Sequence, residues 1–275
     1  MCPGIRGHER AAVSVAECIH GFDDRMCDIC FPRIVAEPPP TVAASTTRAA
    51  TRSGRSTATR PPKRAPGAPA GLPKVPPFAS RRLYHVTPLS NLESILIDGA
   101  LRAIGSGVTP DLDVAAPLAR QLRAHADVGD GRHVDEFVPF SASPDADRWA
   151  ELRAGAVEPH WSAAARELTS ADYAVLVAVG RDLGTDLVVA DGDAAAPVTR
   201  FTIGDPAKAI ASAARADPEL TAIEVLAPNS VSLTAVNLIA VANEPARARV
   251  RAMFHDVEGA PPRVVVHPPW FIAAD

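Results

Sequence analysis

The chain has 275 residues, 47% of them hydrophobic, with a formal net charge of −4. That is enough apolar content for a real core, while no apolar run approaches the ~20 residues that a membrane-spanning helix needs. Residues 1–8 contain no apolar signal region, so the expectation is a cytoplasmic protein with no membrane segment.

The four cysteines, Cys2, Cys18, Cys27 and Cys30, all fall in the first 30 residues. Three of them join a histidine in the pattern Cys18-x-His20-x(6)-Cys27-x(2)-Cys30. A Cys-x(2)-Cys turn points two thiolates to one side, and Cys-x-His on an extended segment can complete a tetrahedron. Residues 1–32 are therefore read as a zinc knuckle held by Cys18, His20, Cys27 and Cys30. Four protein ligands would leave no open position on the metal, so its role would be structural. The competing reading is a redox-sensitive or incidental Cys-x-x-Cys in a leader too short to bury a core.

Residues 33–80 form a Pro-rich linker, expected to be disordered because large apolar side chains are almost absent. Eight basic residues stand there against Glu37 alone, a net of +7, so the remainder of the chain carries −11. Such a tether is either a hold on nucleic-acid phosphates or a solvated spacer.

From residue 81 to 275 the pattern is that of a folded domain. Strands are expected at 83–86, 137–141, 174–179, 187–190, 198–203, 222–226, 236–241 and 264–267. Helices are expected at 89–98, stopped by Gly99, and at 114–126, 146–153 and 245–254. Strands and helices do not alternate strictly, which argues for an α+β fold with a mixed or antiparallel sheet. No strand is followed by G-x-G-x-x-G, so any dinucleotide is held in some other way. Two places on the strands stand out for chemistry. His85 and Thr87 lie at the end of the first strand, where a helix begins at once. Glu224 is an acid on an otherwise apolar strand, either on a solvent face or placed for function; alternation groups it with Ala222 and Leu226. Arg148, Arg153 and His160 read as surface residues, and Trp149 and Trp161 as core or pocket wall.

Four segments together resemble the DarT-type ADP-ribosyltransferases, over residues 81 to about 243. Leu83-Tyr-His-Val-Thr-Pro-Leu-Ser-Asn-Leu-Glu-Ser-Ile-Leu96 resembles the family's opening segment. Glu136-Phe-Val-Pro-Phe140 resembles its YVPF strand. Val189-Ala-Asp-Gly-Asp-Ala-Ala195 resembles its TDGxAA turn, and Ala222-Ile-Glu-Val-Leu-Ala-Pro-Asn-Ser-Val231 its glutamate strand. The resemblance implies an ADP-ribosyltransferase-like split β-sheet with flanking helices. It implies a toxin that moves ADP-ribose from NAD to a base of single-stranded DNA, with a macrodomain antitoxin as partner. By position it makes His85, Thr87 and Asn91 NAD-binding residues, Glu224 the transferase glutamate, and Arg123 rather than Arg120 the functional arginine. Two departures bear on the acceptor: Asp193 stands where the family often has His or Asn, and the family's Phe-x-Pro-Arg-Ser-Pro segment is missing. An acceptor of RNA or protein, or a binding module on a degenerate transferase fold, stays open at this level.

Overall fold

The computed structural model describes residues 76–157, 159–256 and 261–273. The cysteine-histidine cluster and nearly all of the linker lie outside these residues. Leu83 and Val86 lie within strand β1 (Arg82–Pro88), which leads directly into α1 (Leu89–Asp98). Gly99 ends α1 in the left-handed conformation at φ 69°, as a side-chain-free C-cap allows. In chain order there follow β2 (Ala100–Arg102), α2 (Pro117–His125), β3 (Phe137–Ser141), α3 (Asp147–Arg153) and α4 (Ala163–Arg166). Next come β4 (Tyr173–Val179), β5 (Val188–Ala190), β6 (Phe201–Ile203), α5 (Pro206–Ala213) and β7 (Glu224–Pro228). The described part closes with β8 (Ser230–Ser232), β9 (Val236–Val241), α6 (Glu244–Ala252) and β10 (Arg263–Val266).

Eight strands form one sheet in the order β10-β9-β4-β1-β3-β7-β5-β6; β2 and β8 pair separately. All neighbours in the large sheet run antiparallel except β9 and β10. The expected mixed sheet with flanking helices is what forms. β1 runs in register with β4 over seven pairs, but with β3 at the single pair Tyr84–Ser141. Pro139 lies at this split, where an imino acid with no N–H to give costs the ladder least.

Period-two alternation sends the strand side chains to two cores. Leu83, Phe140, Leu176, Val225 and Ile239 pack with Leu92 and Leu96 of α1 and Val250 of α6 on one face. The opposite face carries Val175 and Val177 with Trp149 and Tyr173, and further along it Phe137, Val188 and Leu226. On that second face the register lines up Tyr84, Ser141, Glu224 and Ala190 as one row across four strands. Glu224 and Leu226 share a face as alternation requires, but both faces are covered, so Glu224 is only 7% exposed. Solvent exposure is thereby excluded as the reason for its charge.

Arg153 is not the surface residue its type implies. Its side chain is 3% exposed and donates to the carbonyl of Ile272 at 3.0 Å, while the Trp149 indole donates to the Trp270 carbonyl at 2.6 Å. The two side chains anchor the C-terminal tail to α3.

Candidate active site

A cleft of about 490 Å³ runs from the β1–α1 junction across the split to α2. Its size suits a small-molecule ligand. Glu224 and His85 both border it, together with Thr87, Asn91 and Arg123.

Glu224 opens β7 and is held by three donors. Arg123, in the last turn of α2, donates from Nη2 to Oε2 at 3.0 Å and from Nη1 to Oε1 at 3.5 Å. The backbone N–H of Ala194 donates to Oε1 at 3.0 Å. That N–H comes from the turn Asp191-Gly-Asp-Ala194, so the third and fourth recognised segments meet at one carboxylate. Burial pulls the Arg123 guanidinium down, and Glu224, Asp193 and Asp135 more than restore it, leaving it above its ordinary value. Arg120, one turn back, is committed elsewhere, with Nε and Nη2 both on Asp113 at 2.9 and 2.6 Å. Geometry thus separates two arginines that helical spacing places on roughly one face.

On the β1 side, His85 places Nδ1 2.8 Å from the carbonyl oxygen of Pro139. A carbonyl only accepts, so Nδ1 carries the proton and Nε2 is left as an acceptor. Thr87 is buried and borders the cleft. Asn91 borders the cleft too, but its amide is used twice on one backbone position: Nδ2 donates to the Leu112 carbonyl at 2.8 Å and Oδ1 accepts from the Leu112 N–H at 2.7 Å. Its immediate effect is to brace the segment between β2 and α2 that forms one wall of the cleft.

Burial lowers the His85 pKa, outweighing the Pro139 bond, so the ring is neutral in the fold. The unfolded ring titrates near 6.5, and below that the unfolded chain binds the extra proton first. This contribution to stability is therefore present above about pH 6.5 and lost as pH falls through the lower folded value. The melting temperature of wild type should drop more between pH 7.5 and 5.5 than that of His85→Gln; equal drops would refute the assignment.

Two residues were not picked out as site residues by sequence. Arg148 borders the cleft rather than open solvent, and its Nη2 donates to Asp193 Oδ2 at 2.7 Å. Burial pushes the Asp193 carboxyl up, and Arg148, the Ala195 N–H and Arg123 outweigh it, so it lies below the usual range. His160 also borders the cleft, 3.2 Å from Glu151, whose Oε2 accepts from the Trp161 indole at 2.8 Å. Trp161 is pocket wall and Trp149 is core, as expected.

A family model described as DarT, ssDNA thymidine ADP-ribosyltransferase, matches residues 84–272. The chain belongs to the DarT family. It is accordingly an NAD-dependent ADP-ribosyltransferase acting on single-stranded DNA. The DarT match extends past residue 243, taking in α6, β10 and the tail that Arg153 anchors. Among solved structures, Thermus sp. 2.9 DarT in complex with ADP-ribosylated ssDNA is similar at 20% identity and a TM-score of 0.59, over 70% of this chain and 96% of that one. The same organism's DarT in complex with NAD+ is similar at 20% identity and a TM-score of 0.55, over 70% and 97%. Thermosipho africanus DarTG in complex with ADP-ribose gives 18% identity and a TM-score of 0.56; the chain spans 51% of it. These likenesses establish the DarT fold for this chain. Comparison with curated proteins gives no match. No group of three metal-ligating side chains occurs among the described residues, and no helix there is long and apolar enough to cross a membrane.

Proposed function

We propose that Glu224, Arg123, His85 and Thr87 carry the transfer, that Asn91 holds the wall of the NAD site, and that the acceptor is a thymine in single-stranded DNA. The observation that carries this is the closed array on Glu224, with both Arg123 nitrogens and the Ala194 N–H fixing its carboxylate at the edge of a cleft sized for NAD. The reaction breaks the bond between the nicotinamide nitrogen and the ribose carbon, and its electron pair leaves with nicotinamide. Positive charge builds on the ribose carbon, the acceptor base bonds to it, and the acceptor's proton is released to water. A fixed carboxylate stabilises that charge and can accept a hydrogen bond from the neighbouring ribose hydroxyl. Because the carboxylate is already oriented, the site does not reorganise as the charge develops. His85, neutral and with Nε2 open, offers a hydrogen-bond acceptor to NAD without adding positive charge beside the developing cation.

The thymine acceptor rests on the family description. The same resemblance supports a toxin paired with a macrodomain antitoxin, and the DarTG neighbour, named with ADP-ribose, is consistent with such a pair. Zinc on Cys18, His20, Cys27 and Cys30 belongs to the proposal on their spacing alone, and the basic 33–80 segment as a hold on DNA phosphates on its charge. Location in the cytoplasm is likewise inferred, from the sequence. Incubating the purified chain with NAD labelled in the adenylate half and separate pools of single-stranded DNA, RNA and protein tests the reading. Label should pass to the DNA pool; label only in RNA or protein, or in none, overturns it.

A further inference from the structure

A second cavity of about 170 Å³ adjoins the main cleft, and Ser141, Arg148, His160 and Glu224 border both. Its volume is that of a handful of waters at roughly 30 Å³ each, which suits one nucleobase ring and not a dinucleotide. Glu224 is therefore flanked by a space for a long ligand and a space for a single ring, the arrangement a transfer between two substrates requires.

The cations around these spaces are not equivalent. Arg123 is committed to Glu224, Arg120 to Asp113, and Arg102, on the far rim of the main cleft, to Asp98 through both Nε and Nη2. Arg148 is the least committed of the four, since each of the others gives two N–H groups to a carboxylate. Of its five N–H groups one donates to Asp193 at 2.7 Å; Glu151 stands at 3.8 Å, beyond hydrogen-bond reach. The guanidinium also lies 5.6 Å from the centre of the Trp161 ring. A carboxylate on one side and an aromatic face on another fix its plane, while its side chain keeps 25% exposure at the junction of the two cavities.

From this we infer that the small cavity receives the acceptor base and that Arg148, clamped by Asp193, determines which base is accepted. The inference rests on the DNA-acceptor reading above. Thymine offers carbonyl acceptors, one of which cytosine replaces with an amino donor. A fixed guanidinium donates to the former and is repelled by the latter. The clamp matters because a free arginine could turn to suit either base.

Oligonucleotides alike except for one thymine or one cytosine, incubated with labelled NAD, give the thymine-to-cytosine preference; calorimetry gives NAD affinity. Arg148→Gln should lower transfer to thymine at least about tenfold and narrow the preference by a similar factor, with NAD affinity within about twofold of wild type. Arg148→Lys keeps the charge but loses the planar fork, Asp193→Asn keeps the guanidinium but loosens its clamp, and both should narrow the preference by a smaller factor. A wild type inactive on DNA overturns the acceptor reading and this inference with it. A wild type active on DNA, with Arg148→Gln unchanged in preference or losing NAD affinity in step with transfer, overturns the inference alone. If Arg148→Gln does not fold, an unchanged preference in both Arg148→Lys and Asp193→Asn overturns it equally.

Discussion

Glu224→Gln should reduce transfer of ADP-ribose from NAD to single-stranded DNA by about a thousandfold, the upper range for removing one preorganised electrostatic contact. Glutamine keeps the volume and one accepting oxygen. If that oxygen faces the Ala194 N–H, the amide nitrogen confronts the Arg123 Nη2 donor 3.0 Å away, two donors with nothing between them. If it faces Arg123, the Ala194 N–H loses its acceptor. Either way one buried group goes unpaired, costing about 1–3 kcal/mol. In a domain of this size that lowers the melting temperature by roughly 2–12 °C, well short of unfolding at the assay temperature. NAD affinity should change far less than turnover, because the lost interaction is strongest with charge that exists only as the bond breaks. Transfer within tenfold of wild type by folded Glu224→Gln protein would remove this residue from the chemistry.

Parts of the fold were legible because local pattern sufficed. The α1 stripe of Leu89, Leu92 and Leu96 with its Gly99 stop, and the Phe137–Ser141 and Val236–Val241 strands, lie where periodicity puts them. The misses have physical causes. β2 and β8 are three residues each and are strands only because they pair across some 130 positions. α5 had its signals in plain view, Asp205 as N-cap accepting from the Lys208 N–H at 3.0 Å and Pro206 at the first helical position, but its alanine-rich face carries a weak apolar stripe. α2 begins three residues later than its periodicity implied, because Ala115 is bridged to Trp161 and Pro117 starts the turn.

The site divides in the same way. Strand alternation put Glu224 on a definite face, but only the three-dimensional cover over that face shows it buried. The resemblance favoured Arg123 over Arg120 by its distance to Val138, but that Asp113 holds Arg120 is a tertiary fact. Asn91 was placed at the NAD site by the resemblance alone, and its use on Leu112, 21 residues away, is a tertiary fact. Arg148 read as a surface residue because charged helix positions usually are; what brings it inward is Asp193, 45 positions on.

Removing Arg123 should cost stability as well as activity. Arg123→Met leaves the buried Glu224 carboxylate without its counter-charge. Breaking one side of a buried pair costs about 3–5 kcal/mol, and here the Ala194 N–H is the one remaining partner described. The melting temperature should fall by roughly 6–20 °C and transfer should be lost with it. Activity alone cannot assign a role, since a poorly folded enzyme is also inactive. The double variant Arg123→Met, Glu224→Met separates the two effects. Replacing both ions by apolar side chains removes the uncompensated charge, so stability should return to within about 1–2 kcal/mol of wild type, or exceed it. Transfer should stay absent. A double variant as unstable as the sum of the two single changes would mean that the ions do not act as a pair, and Arg123 would have to be explained by its packing on α2. A double variant that regained transfer would dismiss both from the reaction. Stability restored without activity is the result that separates holding the site together from performing its chemistry, and it is the one this geometry requires.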